Sequence, residues 1–130
     1  MSARSAPQNG VALLASRMPE NGGKESLDYR LRKMLADDFP QLLRQHNSDS
    51  RRAHEGFPDW VIAGPGGLIV RELKRETTHP TAAQSAWLWA FRAAGISAEI
   101  WRPSDLLSGR IARELAAIAG LPVAGPVSAS

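Results

Sequence analysis

Apolar positions along the chain change period several times, and each change marks an element. Leu27, Leu31, Met34 and Leu35 recur at helical spacing and Phe39 continues their face, which predicts a helix over 24–38 ended by Pro40. A short apolar run over 41–45 reads as a strand, followed by a polar, arginine-rich loop over 47–55. Trp60, Val61, Ile62 and Ala63 are aromatic or aliphatic with no helical period, and read as a strand. Gly64-Pro65-Gly66-Gly67 is a turn, and 68–74 a second strand, so the two form an antiparallel hairpin. Thr81 and Gln84 form a capping box, in which hydroxyl and amide each satisfy an unpaired backbone N–H. Behind it Ala83, Trp87, Ala90, Phe91 and Ala94 line one face of a helix over 81–94, stopped by Gly95. A strand over 97–102 and a helix over 110–119, closed by Gly120 and Pro122, complete the pattern. Helix, strands, helix, strand, helix is the order of an α/β fold, a small mixed sheet flanked by helices.

The two ends lack this periodicity. Residues 1–22 mix Ser, Ala, Pro, Asn and Gly and read as a flexible arm with no more than a transient helical turn over 11–18. Residues 121–130 are small, uncharged and contain Pro, and read as a loose tail. At 130 residues the chain has the size of one domain with a modest core. No apolar run approaches the roughly 18 residues of a membrane span, and the run over 11–15 is too short for a signal peptide. Cysteine is absent, which removes disulfides, thiolate metal sites and cysteine nucleophiles together. A net charge of +3 and a sequence pI of about 10 suit a polyanionic partner without singling one out.

The candidate chemistry lies in the hairpin. Strand side chains alternate faces, so Glu72 and Lys74 share one face with Leu68 and Val70, while Arg71 and Leu73 point the other way. Arg71 is then expected to be outward, at the surface. A charged pair at the end of a buried strand face is costly without a partner or a purpose. Asp59 stands at the start of the preceding strand, and in a hairpin that start lies beside the end of the next. Asp59 and Glu72 therefore converge although thirteen positions separate them. Their mutual repulsion is relieved by a hard cation. Magnesium takes about six oxygens and usually keeps several waters, so one or two carboxylates suffice, with the Leu73 carbonyl as a further donor. Such a cation makes water more acidic, and Lys74 is placed to orient that water or to offset charge developing on a phosphate.

Gly56-Phe57-Pro58-Asp59, Glu72-Leu73-Lys74, Thr81-x-x-Gln84 and Ala94-Gly95 together resemble the PD-(D/E)XK nuclease superfamily, and most closely its VRR-NUC branch of small phage and bacterial nucleases. The similarity spans about 25–107. It implies a restriction-endonuclease-like αβββαβ core over 23–120, with 41–45 supplying the first strand. It implies Asp59 and Glu72 as metal ligands, Lys74 as the catalytic lysine, and Gln84 as a support of the metal site or a contact to the scissile strand. An acidic residue on the first helix can also face the site in similar nucleases, and Glu25 holds that position. Magnesium is the implied cofactor with manganese as its substitute, structured DNA such as junctions or flaps the implied substrate, a homodimer the implied assembly, and the cytoplasm of a bacterium or phage-infected host the implied location.

Other residues admit more than one role. Glu25 favours a helix start for the dipole alone, and Gln84 already serves the capping box. The histidines, His46, His54 and His79, read as surface or phosphate-proximal, with His46 the one most expected to approach the site; none has zinc-ligand spacing. Arg44, Arg51, Arg52, Arg71 and Arg75 surround the site in sequence, with Arg51 and Arg52 expected to contact DNA phosphates and Arg75 to be structural. Trp87 lies on the apolar face of its helix and reads as core. Trp89 lies opposite, and is either exposed, stacked on a base or buried at a subunit interface. Against the metal-dependent DNA endonuclease stand a catalytically inactive nucleic-acid-binding module of the same fold, and an assembly protein whose carboxylates only pair with Lys74.

Overall fold

A computed structural model of the chain describes residues 6–47 and 54–122. Its elements in order are α1 (Ala6–Arg17), α2 (Leu27–Asp38), β1 (Leu43–His46), β2 (Trp60–Gly64), β3 (Gly67–Leu73), α3 (Ala82–Ala93), β4 (Ser97–Trp101), α4 (Pro103–Leu107) and α5 (Arg110–Ile118). The strands form one sheet in the order β1-β2-β3-β4. β1, β2 and β3 run antiparallel; β3 and β4 are parallel, joined across α3. The protein is thus a mixed α/β fold, a four-stranded mixed sheet flanked by helices, as the apolar pattern requires. Among the described residues no helix is long and apolar enough to cross a membrane.

Alternation along the strands builds two cores. Trp60, Ile62, Ile69, Leu73 and Trp101 pack against Leu27, Leu31 and Leu35 of α2 and Ile111, Leu115 and Ile118 of α5. On the opposite face Val70 and Ala98 pack against Leu88 of α3, with Val61, Phe91, Ile96 and Ile100 around them. The β2–β3 hairpin closes at Gly64 and Gly67, and Gly66 N–H donates to the Ile118 carbonyl at 2.8 Å. A Cβ on Gly64 or Gly66 would fall within 2.4 Å of a carbonyl oxygen of α5, so the glycines let backbone meet backbone.

Three expectations change. The stretch 1–22, read as a flexible arm, contains the helix α1, with Ala15 and Met18 buried. The chain after it is tied down, since Leu27 and Asp28 N–H donate to the carbonyls of Pro19 and Glu20. The first firm helix begins at Leu27, because Ser26 is its N-cap and accepts from Tyr29 N–H. Arg71, expected at the surface, is buried. Its guanidinium donates to the Val70 and Ser97 carbonyls and to Glu114, and lies 5.2 Å from the centre of the Trp101 ring. Alternation holds for Arg71; α5 covers the face to which it points. Of the expected tail, 123–130 lie outside the described residues, as do 1–5.

Candidate active site

Asp59, Glu72, Lys74 and Gln84 come together at one end of the sheet, where β1 ends, β2 begins and β3 ends. The first turns of α2 and α3 open onto the same place, and their partial positive charge favours anions there. An open cavity of about 510 Å³ lies at this end, with Glu20, Asp28, His46, Phe57, Asp59 and Gln84 among its walls.

The register pairs Trp60 with Arg71, so the next rung sets Asp59 against Glu72. Asp59 Oδ2 accepts from Leu73 N–H at 2.8 Å, which locks the carboxylate to the end of β3. Glu72 is 2 % exposed. Its Oε2 accepts from Gln84 Nε2 at 3.0 Å and lies 3.5 Å from Lys74 Nζ. Gln84 completes the expected capping box: its Oε1 accepts from Thr81 N–H while its own N–H donates to the Thr81 hydroxyl, and its side-chain amide donor turns towards Glu72. Glu72 Oε1 is buried and has no hydrogen-bond partner among the described residues.

Both carboxyl groups hold their protons more tightly than usual. Burial pushes Asp59 up to about 6, and the Glu20 charge adds to this against the Leu73 N–H. Burial pushes Glu72 up to about 8, with the Asp59 charge second and Lys74 opposing. A buried carboxylate oxygen without a partner, beside a second carboxylate that raises its proton affinity, is a donor set that fits a hard divalent cation. Asp59, Glu72 and the Leu73 carbonyl are the groups to hold it. Among the described residues no three His, Cys, Asp or Glu side chains converge on a common point, so such an ion keeps most of its waters.

His46 lines the cavity, stacked on Trp60 at 4.3 Å with Nε2 3.2 Å from Asp28 Oδ1. Burial lowers its proton affinity, and Arg32 lowers it further against the pull of Asp28. Glu25 is not brought to the site: its side chain is 86 % exposed and pairs with Arg30 at 3.5 Å. Two other carboxylates stand there. Asp28 is buried, accepts from Trp60 Nε1 at 3.3 Å, and lies 2.9 Å from Arg32 Nε. Glu20 lines the cavity from the α1–α2 connection. Asp28 has a signal in the sequence, since it continues the Leu31–Leu35 stripe after an N-cap serine; Glu20 has none. Arg44 holds the Phe39 and Leu42 carbonyls rather than facing the cavity. Arg75 is exposed and its carbonyl accepts from Arg102. Arg51 and Arg52 lie outside the described residues. Trp60 and Trp101 are buried, Trp87 is half-buried, and Trp89 is 70 % exposed.

Asp59 and Gln84 face a cavity open to solvent, and Glu72 and Lys74 are buried beside them. No family model, curated protein or solved structure matches this chain.

Proposed function

We propose that this protein is a magnesium-dependent endodeoxyribonuclease with a restriction-endonuclease-like core, of the PD-(D/E)XK type and similar to the VRR-NUC branch. The observation that carries the reading is Glu72: fully buried, one oxygen held by Gln84 and Lys74, the other without a partner among the described residues, and Asp59 beside it. A structural carboxylate would use both oxygens, as buried polar groups normally do. When bound, magnesium supplies Lewis-acid polarisation of the phosphate and lowers the pKa of water. Asp59 and Glu72 are the side chains that would hold the ion, with the Leu73 carbonyl as a further donor. Lys74 places a positive charge beside Glu72, where negative charge develops on the phosphate as the water oxygen bonds to phosphorus and the bond to the leaving sugar oxygen breaks. Gln84 fixes the Glu72 carboxylate. Manganese serves as a substitute ion. The reading includes a homodimer, for which Trp89 on the outer flank of α3 offers apolar surface.

The test is incubation with linear, nicked, flapped and four-way-junction DNAs, with and without magnesium. Cleavage should require the ion, and Asp59→Ala or Lys74→Ala should lose at least about a hundredfold in rate with the fold intact. Cleavage by Asp59→Ala at the parent rate, or no cleavage of any of these DNAs with magnesium or manganese, rejects the proposal.

A further inference from the structure

One wall of the cavity is aromatic, and the hydrolytic chemistry has no use for it. Phe57 and His54 face the same space as Asp59, only two positions further on. We infer that His54 and Phe57 form a stacking subsite for one unpaired nucleobase beside the scissile phosphate, which makes the substrate DNA with an unstacked nucleotide rather than uninterrupted duplex. This rests on the nuclease reading for the phosphate, and on the wall itself for the base.

The wall is fixed from behind. Phe57 N–H donates to the His54 carbonyl at 3.0 Å, closing a turn. Trp87 Nε1 donates to the Glu55 carbonyl at 3.1 Å, so helix α3 grips that turn. Gly56 lies at φ +83°, and a Cβ there would meet the Ala83 carbonyl carbon at 2.5 Å. The Trp87 ring supports both cavity rings at steep angles, 5.5 Å from His54 at 71° and 5.0 Å from Phe57 at 77°. Trp87 itself is not part of the cavity wall; it backs the two rings that are. Phe57 is half-buried and His54 is exposed, which leaves ring surface towards the cavity.

The rest of the cavity suits a base. Asn21, Asn47 and Arg32 also line it, and side chains of these types hydrogen-bond to base edges. A volume of about 510 Å³ accepts a nucleotide. The Cα atoms of Phe57 and Asp59 are at most about 7.6 Å apart, the reach of one nucleotide from base to phosphate. A base stacked inside a duplex cannot enter such a pocket without being extruded, whereas an unpaired base already has a free face.

The test is binding, read by 2-aminopurine fluorescence at the unpaired position of a one-nucleotide flap, with calcium in place of magnesium. Parent protein should quench the probe and bind the flap at least about tenfold more tightly than the matched duplex. Phe57→Leu keeps apolar contact with Trp87 and Phe91 but removes the ring, and should bring that preference close to parity and abolish the quench. Phe57→Tyr should retain both. His54→Ala, at an exposed position, should lower the preference severalfold without touching the fold. Equal binding of flap and duplex by the parent, or a quench that survives Phe57→Leu and His54→Ala, overturns the subsite. Because the readout needs no hydrolysis, the two proposals fail separately. A protein that stacks the probe but cuts nothing refutes the nuclease alone, and one that cuts duplex as fast as flap without stacking refutes the subsite alone.

Discussion

Arg71 and Glu72 are neighbours, both charged and both buried, with opposite surroundings. Arg71 directs its donors to two carbonyls, a hydroxyl and the Glu114 carboxylate. Burial would raise Glu114, but hydrogen bonds from Arg110, Trp101 and Arg71 hold it below the usual carboxylate range. Such a group is a finished structural ion pair. Glu72 is the reverse, with one oxygen that has no hydrogen-bond partner among the described residues and a pKa raised from 4.5 to about 8. The sign of its linkage follows. The folded state binds the proton more tightly than the unfolded state, so this stabilisation is complete below pH 4.5 and fades as pH rises through about 8. Asp59, raised from 3.8 to about 6, acts the same way in a lower window. Without divalent ions the protein should therefore lose stability from pH 5 to pH 8, and Glu72→Gln should flatten the upper part of that decline. Urea midpoints in a chelator at both pH values measure it, and a midpoint that rises with pH in the parent contradicts the assignment of Glu72.

At the scale of elements, the site depends on how the 54–58 turn and α3 meet. Gly56 has both a left-handed backbone and no room for a side chain against Ala83. Gly56→Ala should cost about 1–3 kcal/mol in unfolding free energy, measured by urea denaturation, and displace Asp59 with the turn. Gly10 has open space around its Cβ position, so Gly10→Ala in α1 should not destabilise. These elements also show what the sequence makes legible. All four strands, α2, α3 and α5 were readable from period, turns and caps, because each signal is local. The convergence of Asp59 on Glu72 is readable too, since in a hairpin the start of one strand lies beside the end of the next. Helix α1 was not, for small residues give it no apolar stripe; α4 was missed although Pro103 at its start and the Asp105 carboxylate accepting from Arg102 N–H are local signs. Arg71 was misplaced because strand alternation tells which residues share a face and not whether a second helix covers it. Glu25 was misplaced by a helix start set too early, and Glu20 reaches the cavity only through the tertiary anchoring of the α1–α2 connection.

Over the whole molecule, a chain of net charge +3 gathers Glu20, Asp28, Asp59 and Glu72 at one end of its sheet, against Arg32 and Lys74. A polyanion is repelled by that end until a cation offsets the carboxylates, so metal and nucleic acid should bind in that order. Protons and magnesium compete for the same oxygens. At pH 5 the raised carboxyl groups are largely protonated and little is gained from the ion; at pH 8 Asp59 is ionised and Glu72 about half ionised, and the ion replaces the protons lost. Ligand linkage gives about 1.4 kcal/mol of stabilisation at ten times the dissociation constant, or roughly 3–6 °C in Tm for a domain of this size. Magnesium should thus raise Tm at pH 8 by that amount and hardly at pH 5, and a chelator should reverse it. In Asp59→Asn and Glu72→Gln the pH 8 shift should vanish, while Glu25→Gln, exposed and not part of the cavity wall, should keep it in full. A magnesium-induced shift that is the same at both pH values, or that survives loss of either carboxylate, would place the ion elsewhere on the protein and leave Glu72 Oε1 without its partner.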